Sequence, residues 1–374
     1  MATIQYLTRI EFDSGAMARA ADYAREIGIQ RPLLVTDPGL AANAVFARVQ
    51  EVLHPLVAAV FDRTPQNPDE GAVAAATAVY KANHCDGVVA VGGGSPIDLG
   101  KAVALLATHE GPLEQYAMIL GGLPKITAKV APLMAIPTTA GTGSEVGRAA
   151  LVTLRDGRKL GFISPYMIPR LALCDPELTL GLPPQLTAAT GMDALTHCIE
   201  TYLSPRVNPP ADAIAFDGAQ RAARWIRTAF EEGGNREARW HMMMASLQGG
   251  LTFQKGLGAV HSMSHPLGGL NAPVLHHGTL NAVILPAVLR FNRSHAGAKI
   301  AQLEQALNAR GDLAVFIERL NRDLALPPGL RAMGVTDDMV PRMVDGALAD
   351  HSTATNPRPV ERHNFEALFR EAMQ

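Results

Sequence analysis

Hydrophobic and polar positions along the chain follow two different rhythms, and the change falls near residue 182. Before it, short apolar runs alternate with longer segments of helical character. RPLLVTD (31–37) is an apolar run ending at an acid and Pro-Gly, as a buried strand entering a turn should end. The Ala-rich stretch 39–52 predicts a helix, and LVAAVFD (56–62) predicts a strand. PDEGAVAAATAVYKANH (68–84) opens with a proline and two acids, a helix start. DGVVAVGGGS (86–95) predicts a strand entering a glycine turn, with the helix PIDLGKAVALLATH (96–109) behind it. APLMAIPTTAGTGSE (131–145) repeats the strand-to-loop pattern. Strand and helix in alternation predict a mostly parallel sheet covered on both faces.

After the break GLPPQ (181–185), apolar residues recur at helical spacing, as in QLTAATGMDALTHCIETYL and DLAVFIERLNRDL (312–324). Hardly any of this half reads as strand. The expected fold is an α/β domain over residues 1–182 followed by an all-helical domain over residues 183–374. A length of 374 residues, too great for one ordinary core, agrees with that division.

Composition narrows the field by exclusion. A net charge of −2 leaves no polybasic footprint for nucleic acid. No uncharged apolar run approaches the ~20 residues that span a bilayer. The opening MATIQYLTRIEF carries early charges and lacks the apolar core of a secretory signal. Cys85, Cys174 and Cys198 form no CxxC pair and, being three, cannot all be disulfide-bonded, which fits a reducing compartment. A cytoplasmic protein acting on small molecules is expected, with neither nucleic acid nor membrane as a partner.

Chemistry enters at two places. The turn GGGS (92–95) follows a buried strand, where glycine lets backbone approach a ligand closely. The next helix aims free N–H groups and a positive dipole end at it, and Ser95 adds a hydroxyl. A phosphate suits that environment, although GxGxxG spacing is absent because Ile97 stands where its third glycine would be. Thr138, Thr139, Thr142 and Ser144 crowd four hydroxyls into PTTAGTGSE (137–145), fitting a pyrophosphate or ribose edge. Asp37, at the tip of an early strand, suits the ribose 2′-OH of NAD and would repel a 2′-phosphate; a cap for the turn before Pro38 explains it equally.

The second place holds histidines. Single histidines are mostly structural, but Asp193/His197 and His261/His265 are both i, i+4 pairs, each sharing one helix face, and His277 follows closely. One carboxylate and three neutral imidazoles suit a borderline divalent ion, Fe²⁺ or Zn²⁺. Asp193, His197, His261 and His277 are the candidate ligands. Cys198, about 100° around the helix from His197, is expected to be a packed thiol.

These segments resemble the iron-containing (group III) alcohol dehydrogenase family along nearly the whole chain. The motifs are VTDPGL (35–40), QNP (66–68), GGGSPIDLGK (92–101), PTTAGTGSE (137–145), ALCDPELTLGLPP (172–184), TAATGMDALTHCIE (187–200), HSMSHPLG (261–268), HHGTLNAVILP (276–286) and TNPRP (355–359). The resemblance implies a dehydroquinate synthase-like fold with the active site in an interdomain cleft. Metal ligands would fall on Asp193, His197, His261 and His277. Cofactor contacts would fall on Asp37, Asn67, Gly93, Gly94, Ser95, Asp98, Thr138, Thr139, Thr142 and Lys159. His265 would lie near nicotinamide and substrate and relay a proton.

The stretch between His265 and His277 is two residues longer than in familiar members, which brings His276 forward as an alternative ligand. The following Gly278 and Asn281-Ala282 favour His277. The expected activity is NAD-dependent, metal-dependent hydride transfer with a small alcohol or aldehyde, in a homodimer. A maleylacetate-reductase-like enzyme, which need not use a metal, or a hydroxy-acid dehydrogenase of the same fold are the alternatives.

Overall fold

The computed structural model describes residues 4, 6, 8–270 and 272–374, so the opening MATIQYL falls mostly outside it. Two compact units emerge from the contacts: Tyr6–Thr139 with Ser144–Thr179, and Ala140–Gly143 with Leu180–Gln374.

The first unit is built on a parallel sheet of β1 (Arg9–Phe12), β2 (Pro32–Val35), β3 (Ala59–Phe61), β4 (Gly87–Gly92), β5 (Leu133–Pro137) and β8 (Leu171–Cys174). Their spatial order is β1-β8-β5-β4-β2-β3. Every residue of β2, β4, β5 and β8 is buried, as the continuous apolar runs require of strands covered on both faces. A separate antiparallel hairpin pairs β6 (Ala149–Thr153) with β7 (Lys159–Ile163). Neither β1 nor the hairpin stands out in the apolar pattern, because β1 is a sheet edge carrying Arg9 and Glu11, and β6 alternates half-buried with buried positions.

Capping chemistry reshapes the helix expected over 39–52. Asn43 Oδ1 accepts the Val45 N–H at 2.9 Å, dividing the segment into Pro38–Ala41 and Ala44–Leu53. Behind the glycine turn, the helix Gly94–Leu106 packs on β4 at Gly100, where a Cβ would stand 2.8 Å from that of Ala90. The close helix–strand approach that the third glycine of GxGxxG normally provides therefore comes later, from Gly100.

In the second unit, the helix Pro184–Leu203 is central: every residue from Thr187 to Leu203 is buried. Its hydroxyls survive burial by bonding within the helix, Thr190 to Leu186 O, Thr196 to Met192 O and Thr201 to His197 O. Helices Pro209–Glu231, Arg236–Thr252 and His277–Ala306 pack around it. Arg239, almost fully buried, ties its start by donating to Thr187 Oγ1, Leu182 O and Gly233 O. The loop Ala140–Gly143 joins this unit because its glycines admit close neighbours. A Cβ on Gly141 would lie 2.7 Å from Thr190, and one on Gly143, at φ +61°, 2.5 Å from the Gly250 Cα. Thr142 thus sits with the helices, not the sheet.

Candidate metal centre and nucleotide-binding edge

Asp193 and His197 occupy one face of the central helix, and Glu200 continues it one turn later. His261 comes from the start of the helix Ala259–Gly268, and His277 is the first residue of the helix His277–Ala306. One ligand atom from each of Asp193, His197, His261 and His277 lies within 4.8 Å of the others. Nε2 of His197 and Nε2 of His277 each stand 3.7 Å from Asp193 Oδ1. His276 is not in the group, and its Nδ1 is buried without a hydrogen-bond partner.

The outer atoms of the rings explain the inward lone pairs. His261 Nδ1 donates to Glu200 Oε2 at 2.5 Å, and His197 Nδ1 donates to Gly141 O at 3.2 Å. Each ring is thereby held in the tautomer whose Nε2 is free to ligate. Burial pushes His197 down to about 4 and lowers His261 as well, so both are neutral near pH 7. His277 opens its helix.

Asn281 tests whether a cation fits. Its Nδ2 lies 2.7 Å from Asp193 Oδ1, 3.2 Å from His261 Nε2 and 3.1 Å from His277 Nε2. An amide nitrogen has two hydrogens to offer three acceptors, so one acceptor is left short. A single divalent ion satisfies them all, and the donor set of carboxylate and imidazole suits iron or zinc. The residues fit the metal.

His265 stacks on His277 with ring centroids 5.5 Å apart, and Asp350 Oδ2 accepts from its Nδ1 at 2.8 Å. Cys198 is a packed thiol: Sγ donates to Ala245 O, and burial raises it far above the usual range. Glu200, Asn281 and Asp350 were not singled out in the sequence. Glu200 was findable as the third member of the Asp193–His197 helix face, and Asn281 as the residue one turn after His277. Asp350 lies 85 positions from its partner, beyond any local pattern.

In the sheet unit, Asp37, Gly93 and Thr138 follow the carboxyl ends of β2, β4 and β5, three adjacent parallel strands. Ligands of open α/β sheets gather at that edge. No side chain caps the helix Gly94–Leu106. Gly92, at φ +144°, makes the turn, and Ser95 Oγ donates to Gln66 O, tying in the QNP loop. Gly93 backs onto Thr139, whose Oγ1 is 3.4 Å from where a Cβ would be. Lys159 Nζ donates to Asn67 Oδ1 at 3.1 Å, and burial lowers its affinity for a proton. Asp37 does cap its turn: Oδ1 accepts the Leu40 N–H at 2.9 Å. Asp98 is engaged internally at both oxygens, by Ser144 Oγ at 2.6 Å and Leu151 N at 3.0 Å. With the buried Lys101, which donates to Ser144 Oγ and Ala149 O, it bolts the β6–β7 hairpin that carries Lys159.

Two family models cover the chain, "Iron-containing alcohol dehydrogenase" over residues 8–176 and "Fe-containing alcohol dehydrogenase family, C-terminal" over residues 187–373. A 4-hydroxybutyrate dehydrogenase of Cupriavidus necator is 52% identical, with 100% of both chains covered. A crystal structure of 1,3-propanediol oxidoreductase matches with TM-score 0.93 at 36% identity, covering 100% of each chain. A sulfoacetaldehyde reductase from Bifidobacterium kashiwanohense, solved in complex with NAD⁺, matches with TM-score 0.89 at 28% identity over 100% of this chain and 98% of that one.

Proposed function

Since the chain belongs to the iron-containing alcohol dehydrogenase family of NAD-dependent oxidoreductases, we propose that it interconverts a short ω-hydroxy acid of the 4-hydroxybutyrate type and its aldehyde. The observation that carries the chemistry is the convergence of Asp193, His197, His261 and His277 within 4.8 Å. The substrate class rests on the 52% identity, end to end, with a 4-hydroxybutyrate dehydrogenase.

Those four residues hold the cation, which when bound supplies Lewis-acid polarisation of a substrate oxygen, while hydride exchange belongs to the nicotinamide. The protein's own part is positional and protonic. Asp193 brings one negative charge to three neutral rings, leaving the loaded site near +1. Glu200 and the Gly141 carbonyl fix the rings of His261 and His197. His265, held at Nδ1 by Asp350, keeps Nε2 to take up and return the hydroxyl proton. In the sheet unit, the free N–H groups opening Gly94–Leu106 receive the pyrophosphate. Thr138, Thr139, Thr142, Asn67 and Lys159 serve the riboses, and Asp37 keeps one oxygen for the adenosine 2′-OH. No helix among the described residues is long and apolar enough to cross a membrane. The reading includes a homodimer working in the cytoplasm, as in the family it resembles; light scattering on the purified protein tests the dimer.

The test is elemental analysis of anaerobically purified protein beside NAD⁺-dependent oxidation of 4-hydroxybutyrate. One tightly held iron or zinc per chain and NADH formation are expected. Equal turnover after the metal has been stripped would end the proposal.

A further inference from the structure

The helix Ala259–Gly268 carries both the candidate ligand His261 and His265, yet its N-cap is Gly258, which has no side chain to cap with. The first N–H groups of a helix need acceptors from outside it. Ala259 N–H finds Asn356 Oδ1 at 3.1 Å, and Val260 N–H finds Glu200 Oε1 at 2.8 Å. A Cβ on Gly258 would stand 2.7 Å from the Glu200 oxygen and 2.9 Å from that of Asn356, so glycine is what lets both acceptors in.

Asn356 is one end of a longer contact. Asp350 Oδ2 accepts from His265 Nδ1 at 2.8 Å, Thr353 Oγ1 donates to Ser262 Oγ at 2.8 Å, and Asn356 takes the Ala259 N–H. Steps of three along the segment 350–356 thus meet steps of three backwards along the helix, from 265 to 262 to 259. Residues three apart share one helix stripe. A segment that grips one stripe at three levels fixes both the rotation and the height of the helix. His261 is the neighbour of Ser262, about 100° around the helix, so whatever holds that stripe also aims its ring. The segment is itself anchored. Asn356 and Asn292, both buried, exchange amide hydrogen bonds at 2.8 and 3.0 Å, and Asn292 belongs to the helix that begins at His277. Candidate ligands from two helices are thereby held to one frame. A metal bond tolerates a misplacement of only about 0.2 Å, which is the demand such a frame meets.

We infer that Thr353 and Asn356 are positioning residues for the metal centre, acting on the cation through the helix of His261 and not as ligands. The inference rests on the metal-binding reading above and adds the residues that set the aim.

The experiment reads metal affinity, by competition for Zn²⁺ between the folded protein and a chromophoric chelator, with Co²⁺ absorption as a report on ligand geometry. Wild type, Thr353→Val, Thr353→Ser, Asn356→Ala and Phe365→Leu are compared. The last removes buried volume in the helix Arg362–Ala372 and is the control for lost stability. Asn356→Ala should weaken Zn²⁺ binding about tenfold or more, the weight of a residue supporting a ligand, and change the visible bands of Co²⁺. Thr353→Val, close in shape to threonine, should lose affinity in the same direction but by less. Thr353→Ser keeps the hydroxyl and should bind as wild type does. Wild-type affinity in Asn356→Ala or in Thr353→Val, an equal loss in Phe365→Leu, or no recovery in Thr353→Ser would overturn the inference. Should Asn356→Ala not fold, the two Thr353 variants decide. A wild type that takes up neither Zn²⁺ nor Co²⁺ removes the metal-binding reading itself, before any variant is measured.

Discussion

Replacing Glu200 with glutamine exchanges the carboxylate behind His261 for an amide. We expect metal affinity to drop by about 10–100-fold, the usual weight of such a partner. Competition with a chelator measures it, and an unchanged affinity would mean that His261 is held by its packing alone. His261→Ala removes a ligand outright, so that variant should be purified without stoichiometric metal. Acid tests the burial of the rings. Desolvation disfavours the charged form of His197 and pushes it down to about 4. At that ring protons compete with the metal only as pH falls towards 4, so in metal-free protein the His197 imidazole should stay neutral from pH 7 to pH 5 when followed by NMR. A midpoint near 6.5 for this ring would contradict that burial.

Helix contacts are what bring the ligands together, and glycine sets how close the helices come. A Cβ on Gly278 would lie 2.2 Å from Ala189 O and 3.1 Å from the Asp193 Cβ. Gly278→Ala should therefore push the helix His277–Ala306 off the central helix, at about 1–3 kcal/mol, and lower metal content. Urea unfolding and elemental analysis check the two effects; a variant as stable and as metal-rich as wild type refutes the close fit. The same contacts explain what the sequence could reveal. β2, β4 and β5 were legible because both faces of each are covered, leaving unbroken apolar runs. The i, i+4 spacing made Asp193 and His197 readable as one helix face. β1 and the β6–β7 hairpin were hidden because partial exposure breaks their pattern. Nothing local announces that Asp350 meets His265, since the chain between them contributes only distance.

At the level of the whole chain, a cation that binds the folded helical unit and not the unfolded one must stabilise it. At a free concentration one hundred times its dissociation constant the gain is about 2.7 kcal/mol. Thermal unfolding of stripped protein with added Fe²⁺ or Zn²⁺ should show that rise, and the rise should vanish in His261→Ala. A transition indifferent to the metal would deny it a place in the fold.

The loop Ala140–Gly143 interrupts the sheet unit in sequence yet belongs to the helices, and its Gly141 carbonyl steadies His197. Chimaeras built to alter coenzyme preference should therefore not use a single crossover near 180. A donor sheet unit must arrive in two pieces, with the recipient's own four-residue insert left between them. A graft that ignores this would import a foreign support for His197, and the inherited catalyst would lose its metal along with its old coenzyme.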